Sequence, residues 1–380
     1  MSAERRIFFV TCARGVEPLL HAEARALGLA RLERQVGGVR FEGTRADGWR
    51  ANLLLRTAVR VLERLTRFEA RDGDALYAAA HELAWERWLA PEGRLAVQAQ
   101  SSESLLDHTQ FAEQRVKDAI VDRFRARTGA RPSVDLDDPD VRIHLHLFRD
   151  RATLSLDTSG EALHKRGWRL HQGRAPLAEN LAAAVLLASG WDERAPLVDP
   201  FCGSGTLAIE AAWLAAGIAP GSRRSFGFER WLDHESAAYA QLQRATAALT
   251  EARRGRKRPI LVASDLDPER VAEAQANAEH AGVAEWLRFE VADATALALK
   301  RGWNAWIVCN APYGERVGEA RELPALYRAF GARLRECGEG STLALLALED
   351  EHVRALGLRD LRRIALTNGG LECVLAVGAI

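Results

Sequence analysis

The sequence predicts an α/β chain in two parts: a mostly parallel, doubly wound sheet in the C-terminal half, preceded by an α+β region. Three observations carry this. At 380 residues the chain is too long for one ordinary core and suits two or three domains. From Pro196 onward, short apolar runs alternate with helical patterns, as in βαβ units with right-handed crossovers. Before about residue 170 the apolar segments are short and broken by Gly, Pro and Asp clusters.

Taken in order, residues 7–11 read as a strand, and 17–27 as a helix with Leu19, Leu20, Ala24 and Leu27 on one face. Gly37 and Gly38 break the chain before a strand at 39–41, and 52–64 reads as a further helix. A helix over 111–127 spaces Val116, Ala119, Ile120 and Phe124 along one stripe. Residues 141–147 alternate and pair with 152–157 as a hairpin. In the second half, strands are expected at 197–199, 260–265, 287–291, 305–309 and 342–348, with helices at 207–216 and 269–281. A closing hairpin, 362–366 with 372–377, places one antiparallel strand in the parallel sheet.

Composition narrows the function classes. With 48% hydrophobic and 27% charged residues the chain is not mainly disordered. No apolar run reaches the roughly 18 residues of a membrane span, so no membrane partner is expected. Arg5 and Arg6 precede only a short apolar stretch, which predicts no secretory signal. Cys12, Cys202, Cys309, Cys337 and Cys373 are widely spaced, without a CxxC, so they imply neither a metal site nor a disulfide framework. A reducing cytoplasm is the expected home. The 52 basic residues balance 52 acidic ones, so any nucleic-acid contact must be a matter of location. The densest positive run is 253–258; it reads either as a solvated helix end and loop or as a phosphate contact.

Three strings carry chemistry. The first is Asp199-Pro200-Phe201-Cys202-Gly203-Ser204-Gly205-Thr206, between a strand and a helix. Its glycines let backbone approach a ligand, and ligands of open α/β sheets bind beyond the carboxyl ends of strands. It lacks the Gly-Lys-Ser/Thr of a phosphate loop and the three glycines of dinucleotide binders. The second is Ser264-Asp265-Leu266-Asp267-Pro268. Asp265 suits the two hydroxyls of a ribose, and Asp267 a helix N-cap with Pro268 behind it. Asp293 and Ala294, after the next strand, are placed to reach an adenine amine. The third is Asn310-Ala311-Pro312-Tyr313. An exocyclic base amine is a poor nucleophile because its lone pair is delocalised into the ring. An Asn oxygen and a backbone carbonyl accepting its two N–H groups localise that pair, and Tyr313 can stack on the base at about 1–3 kcal/mol.

Together these strings resemble motifs I, II and IV of the class I S-adenosylmethionine-dependent methyltransferases. The third resembles the Asn-Pro-Pro-Tyr element of amine methyltransferases, with Ala311 in the second position. That position is understood to contribute its carbonyl, which Ala retains, so activity is expected to survive. The N-terminal half, through 131–135, 139–143, 156–161 and 163–169, resembles the RNA-binding THUMP domain and the segment after it, and residues 1–45 resemble the small ferredoxin-like domain that precedes THUMP. Ala175-Pro176-Leu177, Ala219-Pro220-Gly221, Asn277 and 368–373 match as well. The chain is thus similar over nearly its whole length to THUMP-domain RNA methyltransferases, nearest to the N-terminal half of bacterial 23S rRNA guanine-N2 methyltransferases.

The resemblance implies a Rossmann-like class I methyltransferase domain with a mostly parallel seven-stranded sheet over 176–380. Before it come a ferredoxin-like domain (1–45), a THUMP domain (46–158) and a linker (159–175). It implies S-adenosylmethionine as cofactor and RNA as partner. Pro176, Leu177, Asp199, Pro200, Cys202, Gly203, Gly205, Thr206, Asp265, Leu266, Asp293, Ala294 and Asn310 would line the cofactor site. Asn310, Pro312 and Tyr313 would form the acceptor site. Transfer to the N2 amine of a 23S rRNA guanosine is the first reading; the same chemistry on a tRNA acceptor stem and a non-catalytic RNA-binding or assembly factor are the alternatives.

Three further features have two readings each. Cys202 and Cys309 sit within the strings, but a nucleophilic thiolate needs an electropositive site, so small packing residues are expected. Trp85, Trp88 and Trp168 are core residues or stacking platforms for bases. His164, Lys165, Arg166 and Arg169 are phosphate contacts or linker packing.

Overall fold

The computed structural model describes residues 4–171, 177–253, 255, 257–300, 302–312 and 317–380, with the backbone alone for 317–321. The N-terminal half runs β1 (Arg6–Thr11), α1 (Glu17–Ala26), β2 (Ala30–Gln35), β3 (Gly38–Gly43), α2 (Arg45–Leu54), β4 (Arg60–Glu69), α3 (Gly73–Glu82), β5 (Arg94–Ser102), α4 (Thr109–Thr128), β6 (Ser133–Val134), β7 (Val141–Phe148) and β8 (Arg151–Asp157). Its strands form one sheet in the order β2-β3-β1-β4-β8-β7-β5-β6. Alternate strand residues, among them Phe8, Val10, Val39, Phe41, Leu154 and Leu156, are fully buried, as a sheet covered on one face requires.

The helix expected at 52–64 is not there. Its place is divided between the end of α2 and the start of β4. Thr44 caps α2 well ahead of the expected helix start: its side chain accepts from the Asp47 N–H, and Asp47 accepts from the Thr44 N–H. This reciprocal box is the start signal that apolar spacing overlooks. From Arg60 on, Val61 and Glu63 are buried while Leu62 and Arg64 are half-buried, the two-residue alternation of a strand.

The C-terminal half runs α5 (Glu179–Ser189), β9 (Leu197–Asp199), α6 (Thr206–Ala216), α7 (Ser236–Arg253), β10 (Leu261–Asp265), α8 (Pro268–His280), β11 (Leu287–Val291), β12 (Trp306–Asn310), α9 (Val317–Cys337), β13 (Thr342–Ala347), α10 (Asp350–Ala355), β14 (Arg362–Asn368) and β15 (Leu371–Ala379). The seven strands lie in the order β11-β10-β9-β12-β13-β15-β14. β10 pairs parallel with β11 and β9, and β12 pairs parallel with β9 and β13. β15 runs antiparallel to both β13 and β14, as the closing hairpin predicts. From β9 the chain builds outward through β10 and β11, then returns to β12 on the other side. The β9/β12 seam is therefore a topological switch point, where an open α/β sheet leaves its ligand crevice. Asp199 ends β9 and Asn310 ends β12.

The two halves share buried groups. The Trp49 ring of α2 lies 5.9 Å from Phe228 and 5.8 Å from Tyr239, both in the segment inserted between α6 and β10. Deeper in, the guanidinium of Arg166 approaches Glu210 of α6 at 3.4 Å, and Arg56 stands 3.9 Å from the same carboxylate. Arg166 also donates to the carbonyls of Leu163 and Arg56. Trp85 and Trp168 are fully buried and Trp88 nearly so, which assigns them to packing. Among the described residues no helix is long and apolar enough to cross a membrane.

Candidate cofactor and acceptor site

The loop after β9 is shaped by its glycines. Gly203 has φ +52°, and no heavy atom stands within 4 Å of where its Cβ would project, so its face is an open cradle. Gly205 has φ +86°, and a Cβ there would meet the Ala274 Cβ at 3.0 Å. Glycine is thus required at 205 by the backbone and by α8. The loop is tied to the next strand: Cys202 N–H donates to the Ser264 carbonyl at 2.9 Å, and Gly203 N–H to the Asp265 carboxylate at 3.0 Å.

Asp199 is buried beside this loop, with one oxygen accepting the Phe201 N–H at 3.2 Å. Burial, with Asp265 nearby, pushes its carboxyl up to about 8. Among the described residues no cationic side chain contributes to the shift, so the carboxyl suits a positively charged ligand. Asp265 is half-buried at the end of β10; one oxygen takes Gly203 N–H and the other Asp267 N–H at 3.1 Å. Each oxygen keeps a further lone pair, which is what a vicinal diol requires. Asp267 caps α8 through Glu269 N–H with Pro268 behind it, as expected. Leu266 is 69% exposed beside it. Asp293 holds the N–H and hydroxyl of Thr295, both at 2.8 Å, and Ala294 is buried.

Asn310 is half-buried at the end of β12, in register with Leu346 of β13. Ala311 is buried and donates its N–H to the Leu346 carbonyl at 3.3 Å, a bond proline has no hydrogen to make. The exposed Pro312 accepts from the Tyr327 hydroxyl at 3.3 Å. Two tethers thus stand in for the stiffness of a second proline. Pro200 and Leu177 are buried; Pro176 and Tyr313 lie outside the described residues.

Burial pushes the thiols of Cys202 and Cys309 well up, with Asp199 adding to both, so neither is a ready thiolate. The linker residues resolve towards packing. Arg166 is buried, Lys165 pairs with Glu161 at 2.7 Å, and burial beside Arg166 pushes His164 down to about 4. Within the basic run 253–258, Arg253 pairs with Glu193 and Arg258 with Glu285, while Arg254 and Arg256 lie outside the described residues.

Arg169 has a role that neither reading of the sequence assigns. It donates to Ser204 Oγ at 3.2 Å and Thr206 Oγ1 at 3.0 Å in the glycine loop. It also reaches the Leu177 carbonyl at 3.0 Å and Glu179 at 2.8 Å. Asn277, fully buried on α8, completes the clamp: its amide donates to the carbonyls of His171 and Ser204, and its oxygen accepts from Leu170 and His171 N–H. Linker, glycine loop and α5 are held as one unit. Arg169→Ala is expected to weaken S-adenosylhomocysteine binding about tenfold, the scale of one charge-assisted hydrogen bond, with Arg169→Lys in between. Calorimetry checks this; an unchanged Kd in the Ala variant removes Arg169 from the site.

Comparison with known proteins covers both halves. The RMKL-like methyltransferase domain profile matches residues 166–377, the THUMP domain 70–157 and the RlmL ferredoxin-like domain 7–62. The ribosomal RNA large subunit methyltransferase K/L of Pseudomonas paraeruginosa is 43% identical over 380 residues, covering 97% of this chain and 52% of that protein. Its counterpart from Syntrophotalea carbinolica is 43% identical over 381 residues, covering 97% and 53%. The chain spans about half the length of these curated relatives. Among solved structures, SMU.472 complexed with SAH has a TM-score of 0.88 at 28% identity, covering 99% of this chain and 98% of that one. TrmN from Thermus thermophilus, at 24% identity with a TM-score of 0.73 and covering 99% and 100%, shares the fold. The methyltransferase match takes in more than half of the 380 residues, with the glycine loop, Asn310 and all of the β9–β15 sheet except the end of β15, and this chain belongs to the RMKL-like methyltransferase domain family.

Proposed function

We propose that this chain transfers a methyl group from S-adenosylmethionine to the exocyclic N2 amine of a guanosine in 23S rRNA. The carrying observation is the switch-point crevice. It brings the open Gly203 cradle and the cation-seeking Asp199 to the strand end next to Asn310. The RNA substrate is supported by the THUMP match and by the names of the curated relatives, and the cofactor by the SAH complex of SMU.472. In this reading residues 1–158 hold RNA and 176–380 carry the chemistry. Five free cysteines, four of them buried, fit a reducing cytoplasm.

Bound S-adenosylmethionine supplies an electrophilic methyl on a sulfonium. Asp199 would hold its ammonium, Gly203 would give it room, and Asp265 would accept from its ribose hydroxyls. Asn310 Oδ1 and the Ala311 carbonyl accept the two N–H groups of the target amine, localise its lone pair and aim it. No strong general base is needed before the methyl is transferred, because the proton becomes acidic only as the new bond forms. Bringing a guanine into the crevice requires extruding it from the RNA, at a few kcal/mol, which binding by the N-terminal half offsets.

The shifted Asp199 sets a pH dependence. An ammonium ligand needs the carboxylate, and this group is protonated below about 8, so binding releases its proton. Cofactor affinity is expected to rise about tenfold between pH 6 and pH 7, with close to one proton released per site. Asp199→Asn flattens the profile. Calorimetry in buffers of different ionisation enthalpy reads the proton; a flat wild-type profile overturns the assignment. In the free chain the same raised carboxyl makes stability fall as pH rises from about 4 to about 8, where only the folded state keeps the proton.

The function is tested by transfer of labelled methyl to total RNA from a strain lacking this protein, followed by sizing and nucleoside digestion. Label recovered as N2-methylguanosine in large-subunit rRNA is expected. Label in tRNA moves the substrate, and failure to bind the cofactor leaves a non-catalytic RNA-binding factor.

A further inference from the structure

Resting on the reading of RNA as substrate, we propose that the RNA backbone docks on the uncovered face of the eight-stranded sheet, centred on Arg64 and Arg67 of β4. The fully buried apolar side chains of this sheet lie on one face, while Ile7, Phe9 and Leu62 on the other are half-buried. On the other stand Arg40, Arg64, Arg67, His146, Gln98 and Gln100, all half-buried or exposed. Register places them together: Arg64 lies opposite Ser155, Arg67 opposite Thr153, Thr153 opposite His146, and His146 beside Gln100.

A bulge builds the pair. Residues three apart on a regular strand point to opposite faces. β4 carries a register shift between Arg64 and Thr66, so Arg64 and Arg67 pair with Ser155 and Thr153, which are two apart and share a face. The extra residue turns a second arginine onto the same surface as the first.

The electrostatics agree with this geometry. Nearby Arg6, Arg40 and Arg60 are each in an ion pair, and Arg45 pairs with Asp233. Among the described residues Arg64 and Arg67 make neither an ion pair nor a hydrogen bond, although Glu42 lies near enough to Arg64 to be felt. Burial lowers the Arg64 guanidinium, and Arg40 and Arg67 lower it further; burial and then Arg67 lower His146. Holding unpaired guanidiniums together is unfavourable in the free protein and is relieved by an anion. A row of phosphates fits a cluster spread across three strands, and the polar Gln98, Gln100 and Thr153 suit a sugar–phosphate chain. The strand ends of this sheet lead to the catalytic half: β8 ends at Asp157, and the carbonyl of the next residue, Thr158, accepts from Phe228 N–H at 3.2 Å.

The test is the full chain carrying Arg64→Ala and Arg67→Ala, titrated into a fluorescent RNA hairpin at several KCl concentrations. Affinity is expected to fall about tenfold, and the slope of log K against log salt to flatten by about 2, one for each phosphate no longer neutralised. The double Lys variant should keep the wild-type slope. SAH binding and the melting temperature, which would report a folding defect, should not fall. Arg125→Ala, an exposed cation of α4, should leave the slope unchanged. Wild-type affinity and slope in the double Ala variant overturn the docking face alone, as does an equal loss from Arg125→Ala. A wild-type chain that binds no RNA overturns the substrate reading as well.

Discussion

Asn310→Ala is expected to lower the rate of methyl transfer about 10²–10³-fold while SAH still binds. That is the usual cost of deleting one preorganised hydrogen-bonding group from a reacting centre. The side chain is held by position: Asn310 is the last residue of β12, paired with β13. Ala311 is fixed by its N–H to the Leu346 carbonyl and by burial, and Pro312 by the Tyr327 hydroxyl. Truncation should therefore remove the acceptor while Ala311 and Pro312 keep these tethers, and the loss should appear in kcat. Single-turnover transfer with saturating cofactor is the measurement. A variant within threefold of the wild-type rate would show that the amine is activated elsewhere, and the proposed mechanism would fall.

What can be read from the sequence follows from how local each signal is. The strings ending at Thr206 and Pro268 announce strand, turn and helix within a few residues, the string ending at Tyr313 announces the end of a strand, and the sheet places these strands with carboxyl ends at one edge. The terminal hairpin is legible for the same reason. The 52–64 segment misleads because its apolar residues satisfy two periods at once, and only the Thr44–Asp47 cap, outside the window, separates them. Arg169 and Asn277 are harder. Arg169 acts through partners up to 37 residues away and Asn277 through partners up to 107 away, so no spacing rule connects them. Arg64 and Arg67 stand in or just beyond what looks like a helix, and a bulge that puts both on one sheet face has no signature in a misassigned element.

The second large effect is expected at the joint between the halves. Glu210→Ala should destabilise the chain by about 3–5 kcal/mol, the cost of removing one partner from a buried ionic group. Glu210 and Arg166 are almost fully inaccessible, and Arg56 is 9% exposed. Burial raises the Glu210 carboxyl and lowers the Arg56 guanidinium, while each cation opposes the rise at Glu210. The charges are thus tolerable only together, and deletion leaves two guanidiniums facing each other with no anion between them. The carbonyls of Leu163, Arg56 and Ile218 still receive their donors, so the loss belongs to the missing charge. Glu210→Gln, which keeps the shape and one acceptor, should cost less than Ala. Urea unfolding at neutral pH reads both. A loss below about 1 kcal/mol in the Ala variant would mean that solvent reaches the cluster and that it fixes nothing. The functional consequence follows from geometry: Glu210 sits on α6, which opens at the glycine loop, while Arg56 follows the last residues of α2. Loosening this contact frees the half proposed to hold RNA from the crevice proposed to hold the cofactor. Well below its melting temperature, the Ala variant should therefore lose more in methyl transfer to RNA than in SAH affinity.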